Sequence, residues 1–319
     1  MSTMPTATAD AAADPDSDGQ AKPYADGAAY IEGRYVPIAE ARLSVLDWGF
    51  TRSDVTYDVV HVWKGSFFRL EDHLERFERS CAVLRLVPPA RGEVREILMQ
   101  CVRLSGLRDS YVEMTCTRGV PVPGSRDPRT CKNNFLAFAI PFVWVITPEQ
   151  QARGAYLIIS KVPRIPPASV DPTVKNFHWG DLTKALFEAC DQGADTAVLV
   201  DAEGYVAEGP GFNVFCIKDG AVRSPGSTVL EGITRRSVRE LCEALDMPFE
   251  LGRVTPDELR NADEVFLSTT AGGIMPVSRV DDSILCDGRP GPLSTRLKDL
   301  YWAKHEQGWH GTPVDYHAV

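Results

Sequence analysis

Strand-like and helix-like runs alternate along this 319-residue chain without a regular βαβ beat. That irregularity excludes a doubly wound parallel sheet and leads to an α+β fold with mixed sheets. Residues 28–38 and 57–70 each read as two β-rich runs around a turn, Glu-Gly in the first and Lys-Gly in the second. Leu74, Phe77, Cys81 and Leu84, then Val94, Ile97, Leu98 and Cys101, recur at helical spacing, so helices are predicted over 71–86 and 91–106. Strands are expected at 110–119 and 134–146, the second apolar enough to be covered on both faces. After the polar joint 147–155 come a strand at 155–162, a proline-rich loop at 163–172 and a helix at 181–193. Further strands are expected at 196–209, 211–225 and 263–273, with helices at 232–245 and around 293–305. The expected division is a disordered tail 1–25, an N-terminal α/β domain 26–146, a linker 147–155 and a C-terminal domain 156–319.

The tail is rich in Ala, Asp, Ser, Thr and Pro, which bury too little surface to offset ordering. It lacks the basic start and apolar stretch of a secretory signal. The net charge of -10 argues against a nucleic-acid partner, which needs a basic face to displace counterions. No run is long and apolar enough for a membrane span. The eight cysteines are scattered, with no Cys-x-x-Cys pair and no Cys/His cluster at metal-ligand spacing, and are read as free thiols of a cytoplasmic protein with no metal. Neither the glycine-rich phosphate loops of nucleotide-binding folds nor a Gly-x-Ser-x-Gly elbow occurs.

Four features carry chemistry. Lys175, in "SVDPTVKNFHWGDL", stands among apolar and aromatic residues; a solubilising surface lysine needs no such neighbours, whereas a nucleophilic one needs partial desolvation to release its proton. Glu208, in "VAEGPGFNVF", lies between strand-like runs, where a desolvated carboxylate demands a cation, either an arginine or a protonated heterocycle. Gly232-Ile233-Thr234 opens a helix whose free N–H groups favour an anion, and "STTAGG" (268–273) ends a strand with small hydroxyl residues; together they form a phosphate cup, singly each is an ordinary cap. Arg76, in "EDHLERFERS", joins them only if a phosphate lies opposite; otherwise it is a solvated or ion-paired helix residue.

With these motifs in order, the chain resembles the fold type IV pyridoxal-phosphate enzymes across roughly residues 28 to 300, and within them the (R)-selective amine transaminases. The resemblance rests on "LDWGFTRSDVTYDVVHVWKGSFFRLEDHLERF", "VKNFHWGDL", "AEGPGFNVFCIKDG", "EGITRR" and "STTAGGIMPV". It implies two domains with the active site between them, the C-terminal one binding pyridoxal 5'-phosphate, in a homodimer with sites at the subunit boundary. Lys175 matches the lysine that forms the Schiff base and shuttles the proton, and Glu208 the carboxylate on the pyridine nitrogen. Arg76, Ile233, Thr234 and Thr270 match the phosphate-binding set. Tyr57, Val59, His61 and Trp179 match pocket-lining positions, and Arg126, in "RGVPVPGSRDP", a mobile arginine that admits a substrate carboxylate. Two departures stand out: Gly180 replaces the tyrosine of branched-chain members, and Arg52 the histidine of many relatives. The implied activity is ping-pong transfer of an amino group from a primary amine to a keto acid such as pyruvate. A D-amino acid or branched-chain aminotransferase, and a binding protein of the same fold without catalysis, remain as alternatives.

Overall fold

The computed structural model describes residues 23–318; residues 1–22 of the expected tail lie outside it. Tyr24 packs on the first core, and the Gly27 N–H donates to the Tyr24 carbonyl. In chain order, β1 (Ala28–Ile31), β2 (Arg34–Pro37), the short helix α1 (Trp48–Arg52), β3 (Val55–Trp63), β4 (Ser66–Phe68), α2 (Leu70–Val83), α3 (Arg91–Ser105), β5 (Ser110–Val120) and β6 (Lys132–Pro141) come first. Then follow α4 (Pro148–Arg153), β7 (Ala155–Pro163), α5 (Gly180–Asp191), β8 (Thr196–Val200), β9 (Glu208–Gly209), β10 (Phe212–Lys218) and β11 (Ala221–Pro225). The remainder is α6 (Ile233–Ala244), β12 (Phe249–Gly252), α7 (Pro256–Arg260), β13 (Glu264–Thr269), β14 (Gly273–Val280), β15 (Ser283–Ile284), α8 (Pro292–Glu306) and β16 (Gly311–Pro313).

The first sheet runs β16-β4-β3-β5-β6-β1-β2 and is antiparallel throughout. Strand alternation sends Val60, Val62, Val112, Met114, Ala137 and Ala139 onto the helices α2 and α3, whose Leu74, Phe77, Val94, Leu98 and Cys101 meet them in one core. The opposite face of the same strands carries Tyr57, Val59, Tyr111, Glu113 and Thr115, because β3 and β5 pair Tyr57 with Thr115 and Val59 with Glu113. The second sheet, β12-β11-β10-β13-β14-β7-β8, is mixed, with parallel pairs β11–β12, β14–β7 and β7–β8. Phe215, Phe266, Val238, Leu241, Leu297 and Tyr301 join it to α6 and α8, and Leu182 and Ala185 of α5 pack against Ile158, Ala197 and Leu199.

Several elements differ from the sequence reading, among them the strand expected over 196–209, which breaks after Val200, and three others. The strand expected to run to 146 stops at Pro141, opposite Ser110, where proline offers no further donor to the ladder. Beyond it, Phe142 and Trp144 turn into an aromatic cluster with Trp63 and Trp302. β14 lies at the centre of the second sheet although Pro276 argues against a central strand; Pro276 stands opposite Phe266 of β13. At the other end of the chain, β16 returns to the first sheet to pair with β4. All eight cysteines are free, and no helix among the described residues is long and apolar enough to cross a membrane.

Candidate active site

A cavity of about 390 Å³ opens between the two sheets, with Tyr57, Val59 and Tyr111 from the first and Glu208, Phe212, Asn213 and Ser268 from the second. Lys175 reaches it from the loop ahead of α5. That loop is pinned to the edge of β3: the Thr56 hydroxyl donates to the Lys175 carbonyl at 2.6 Å, and the Tyr57 N–H donates to the same oxygen at 3.2 Å. The Lys175 Nζ lies 4.3 Å from the centre of the Tyr57 ring, whose other neighbour is Phe177. Trp179, just before α5, lines the cavity, whereas Phe177 is largely exposed.

At one end of the cavity Glu208 is 7% exposed. Its Oε2 accepts from the Leu230 N–H at 3.0 Å, and its Oε1 accepts from Arg164 Nε and Nη2, both at 3.3 Å. Arg164 also donates to Asp181 at 2.6 Å, so one guanidinium serves two buried carboxylates. Burial pushes the Glu208 carboxyl above its ordinary range, and Arg164 opposes that push.

At the other end, Ile233 and Thr234 open α6 after Gly232, which offers no side-chain cap, so the N–H groups of the first turn have no capping oxygen. Ser268, Thr269 and Thr270 face them from the end of β13. The buried Ser268 hydroxyl has no hydrogen-bond partner. A Cβ on Gly232 would fall 2.1 Å from Asn213 Oδ1, so a larger residue would have to displace the amide that donates to the Leu230 carbonyl. An aldehyde carrying a phosphate fits this arrangement: unclaimed N–H and hydroxyl donors at one end, an amine in the wall, a carboxylate at the far end.

Arg76 also lines the cavity. Its Nε and Nη2 donate to Asp58 at 2.7 and 2.8 Å, and its Nη1 donates to the Glu231 carbonyl at 3.0 Å. Asp58 is fully buried, which by itself would raise its carboxyl; Arg76 and a further contact from His73 outweigh that burial and hold it well below the usual range. Arg76 therefore ties α2 to the segment that enters α6.

Two expected pocket residues stand elsewhere. His61, two residues beyond Val59 on β3, sits behind the cup among Phe68, Phe142 and Trp302, because the rise of a strand carries it past the cavity wall. Arg126 is exposed on the loop between β5 and β6 and does not line the cavity. Conversely, Arg164, Asn213, Tyr111 and Glu113 escaped the sequence reading. Glu113 had one signal: a lone carboxylate in the middle of a run otherwise read as a strand.

Glu113 accepts from Thr115 at 3.0 Å and from Tyr111 at 3.3 Å. Burial raises its carboxyl to about 6, against an opposing pull from Thr115 and Lys175. A carboxyl raised on folding costs stability wherever the folded state must ionise it. Glu113→Gln is therefore expected to be more stable than the parent by about 2 kcal/mol above pH 6, the gain vanishing below the ordinary carboxylate range. Urea unfolding at a series of pH values measures this.

Residues 56–280 match the family model described as Amino-transferase class IV. A putative branched-chain-amino-acid aminotransferase of Methanocaldococcus jannaschii is 30% identical over 85% of this chain and 94% of its own length. The D-alanine aminotransferase of Bacillus licheniformis is likewise 30% identical, over 84% of this chain and 93% of its own. Among solved structures, the branched-chain amino acid aminotransferase of Thermobaculum terrenum in its PLP-form superposes with a TM-score of 0.82 at 26% identity, covering 93% of this chain and 100% of that one. The match takes in every residue that lines the cavity, from Tyr57 to Ala271, and the chain belongs to the class IV aminotransferases.

Proposed function

We propose that this aminotransferase takes its amino group from a primary amine with an apolar substituent, in the (R) configuration that the sequence resemblance implies, and passes it to a keto acid such as pyruvate. Pyridoxal 5'-phosphate is the cofactor, its phosphate held by the Ile233 and Thr234 N–H groups and by Thr270, with Arg76 bracing the cup. When bound, it supplies an electron sink for the carbon that loses a proton. The chain's own residues supply the rest. Lys175 holds the cofactor and then, as a free amine, moves the proton at its Nζ; Glu208 sets the charge at the ring nitrogen; Tyr57, Val59 and Trp179 orient the apolar substituent.

One observation carries the amine reading. Both guanidinium groups that line the cavity are already committed, Arg76 to Asp58 and Arg164 to Glu208 and Asp181. Among the described residues, Lys175 is the one other cation in that wall, so nothing there forms a permanent trap for a donor carboxylate. Glu113, beside Tyr111, adds a negative charge on the same side. The names of the relatives favour a second reading, an amino acid donor of the branched-chain or D-amino acid type. A donor carboxylate would then be met by Arg126 from a second copy of the chain. Exposed Val45, Leu46 and Phe50, near the start of β3, support such a homodimer.

Single-turnover reactions of the cofactor-loaded enzyme with (R)-1-phenylethylamine, D-alanine and L-leucine, followed by cofactor absorbance, separate the readings. The amine is expected to react at least about tenfold faster than either amino acid. Faster reaction of D-alanine or L-leucine installs the second reading.

A further inference from the structure

His61 and His305 meet behind the cup nitrogen to nitrogen, a contact that sets two lone pairs against each other when both rings are neutral. The His61 Nδ1 lies 2.8 Å from the Thr270 carbonyl oxygen, and the His305 Nδ1 lies 2.7 Å from the Tyr301 carbonyl oxygen. A carbonyl only accepts, so each Nδ1 carries the proton of its ring. In two neutral rings both Nε2 atoms are then bare lone pairs, yet they stand 3.2 Å apart. The ring centres are 5.3 Å apart with planes 20° from parallel, so the rings meet nitrogen to nitrogen along a nearly common plane, with no room for a water between them. One additional proton converts this contact into an N–H···N hydrogen bond.

We infer that His61 and His305 hold a single shared proton between their Nε2 atoms, and that this bond positions the Thr270 carbonyl and hence the 268–271 end of the phosphate cup against α8. The pair is a positioning device: neither ring lines the cavity. Burial lowers both rings, and a charge on His305 lowers His61 further, so the pair takes no more than one proton; the head-to-head contact favours that one, because two facing lone pairs become a single N–H···N bond. The charged neighbours are already paired with one another. Arg69 before α2 binds Asp72 and Glu240, His310 binds Glu240 of α6, Lys64 binds Glu306 of α8, and His73 of α2 binds Asp58. Lys304 of α8 lies over Trp309. None of these groups donates a hydrogen bond to either Nε2 atom, so the shared proton is what satisfies them.

The consequence for cofactor binding rests on the proposed phosphate cup; the shared proton does not. Nitrogen NMR of histidine-labelled holoenzyme at about pH 7 is expected to show both Nδ1 atoms protonated and one proton for the two Nε2 atoms. In His305→Gln, the amide N–H donates to His61 Nε2 without needing that proton. On raising the pH until the proton leaves, the cofactor dissociation constant of the parent is expected to weaken by about tenfold, and that of His305→Gln by much less. His61→Asn, which keeps a donor for Thr270, is expected to bind cofactor better than His61→Leu. Two bare Nε2 atoms at neutral pH overturn the shared proton, and equal pH dependence in parent and His305→Gln overturns its link to Thr270. Failure of the cup itself shows separately, as cofactor affinity untouched by Thr234→Pro, which removes one of its N–H donors.

Discussion

Lys175→Ala is expected to lower multiple-turnover amino transfer by about 10⁴-fold while leaving the fold intact. The geometry gives the reason. The lysine backbone is clamped to β3 through the Thr56 hydroxyl and the Tyr57 N–H, so its side chain starts from a fixed point and ends over the Tyr57 ring inside the cavity. Among the described residues no other lysine lines that wall, and a proton moved between substrate and cofactor has no second amine to carry it. Because the clamp uses the main chain, alanine preserves it, and cofactor is still expected to bind through the cup. Added methylamine restoring part of the lost rate would show that the missing part is the amine alone. A Lys175→Ala enzyme with more than about a hundredth of parental turnover contradicts the assigned role.

Glu208→Gln is expected to cost about 10²–10³-fold in turnover, with a smaller change in cofactor affinity. Glutamine keeps an oxygen for the Leu230 N–H but removes the negative charge that the proposed mechanism sets against the ring nitrogen. Arg164 provides the companion test. Burial raises the Glu208 carboxyl and Arg164 restrains that rise, so removing the guanidinium lifts it further. Activity requires the ionised carboxylate, which is present above its folded pKa and lost as pH falls through it. The acid limb of the rate profile should therefore move to higher pH in Arg164→Ala and disappear in Glu208→Gln. An unmoved acid limb in Arg164→Ala would mean that another group sets it.

The sequence exposed those parts of the fold where one face is buried. The periodicity of α2 and α3 and the hairpin from β3 to β4 were legible because each must present an apolar stripe to the other. β14 was hidden because its proline breaks the usual rule for a central strand, and β16 because a three-residue strand has no pattern of its own. In the site, Lys175, Glu208 and the Gly232–Thr234 helix start were visible as local anomalies, an amine or an acid where apolar neighbours dominate. Arg164 was not, since its meaning comes from Asp181 and Glu208, 17 and 44 residues away along the chain. The pairing of His61 with His305 spans 244 residues, and no local pattern announces it. Arg126 and His61 were placed by resemblance on a pocket wall that this chain builds from other residues.

The central claim is that the amine of Lys175 is the group joined to the cofactor. Reducing the pyridoxal-phosphate-loaded enzyme with borohydride and mapping its peptides by mass spectrometry tests it most directly. The account predicts one phosphopyridoxyl group per chain, on the peptide containing Lys175; the same mass on a different lysine, or on none, contradicts it.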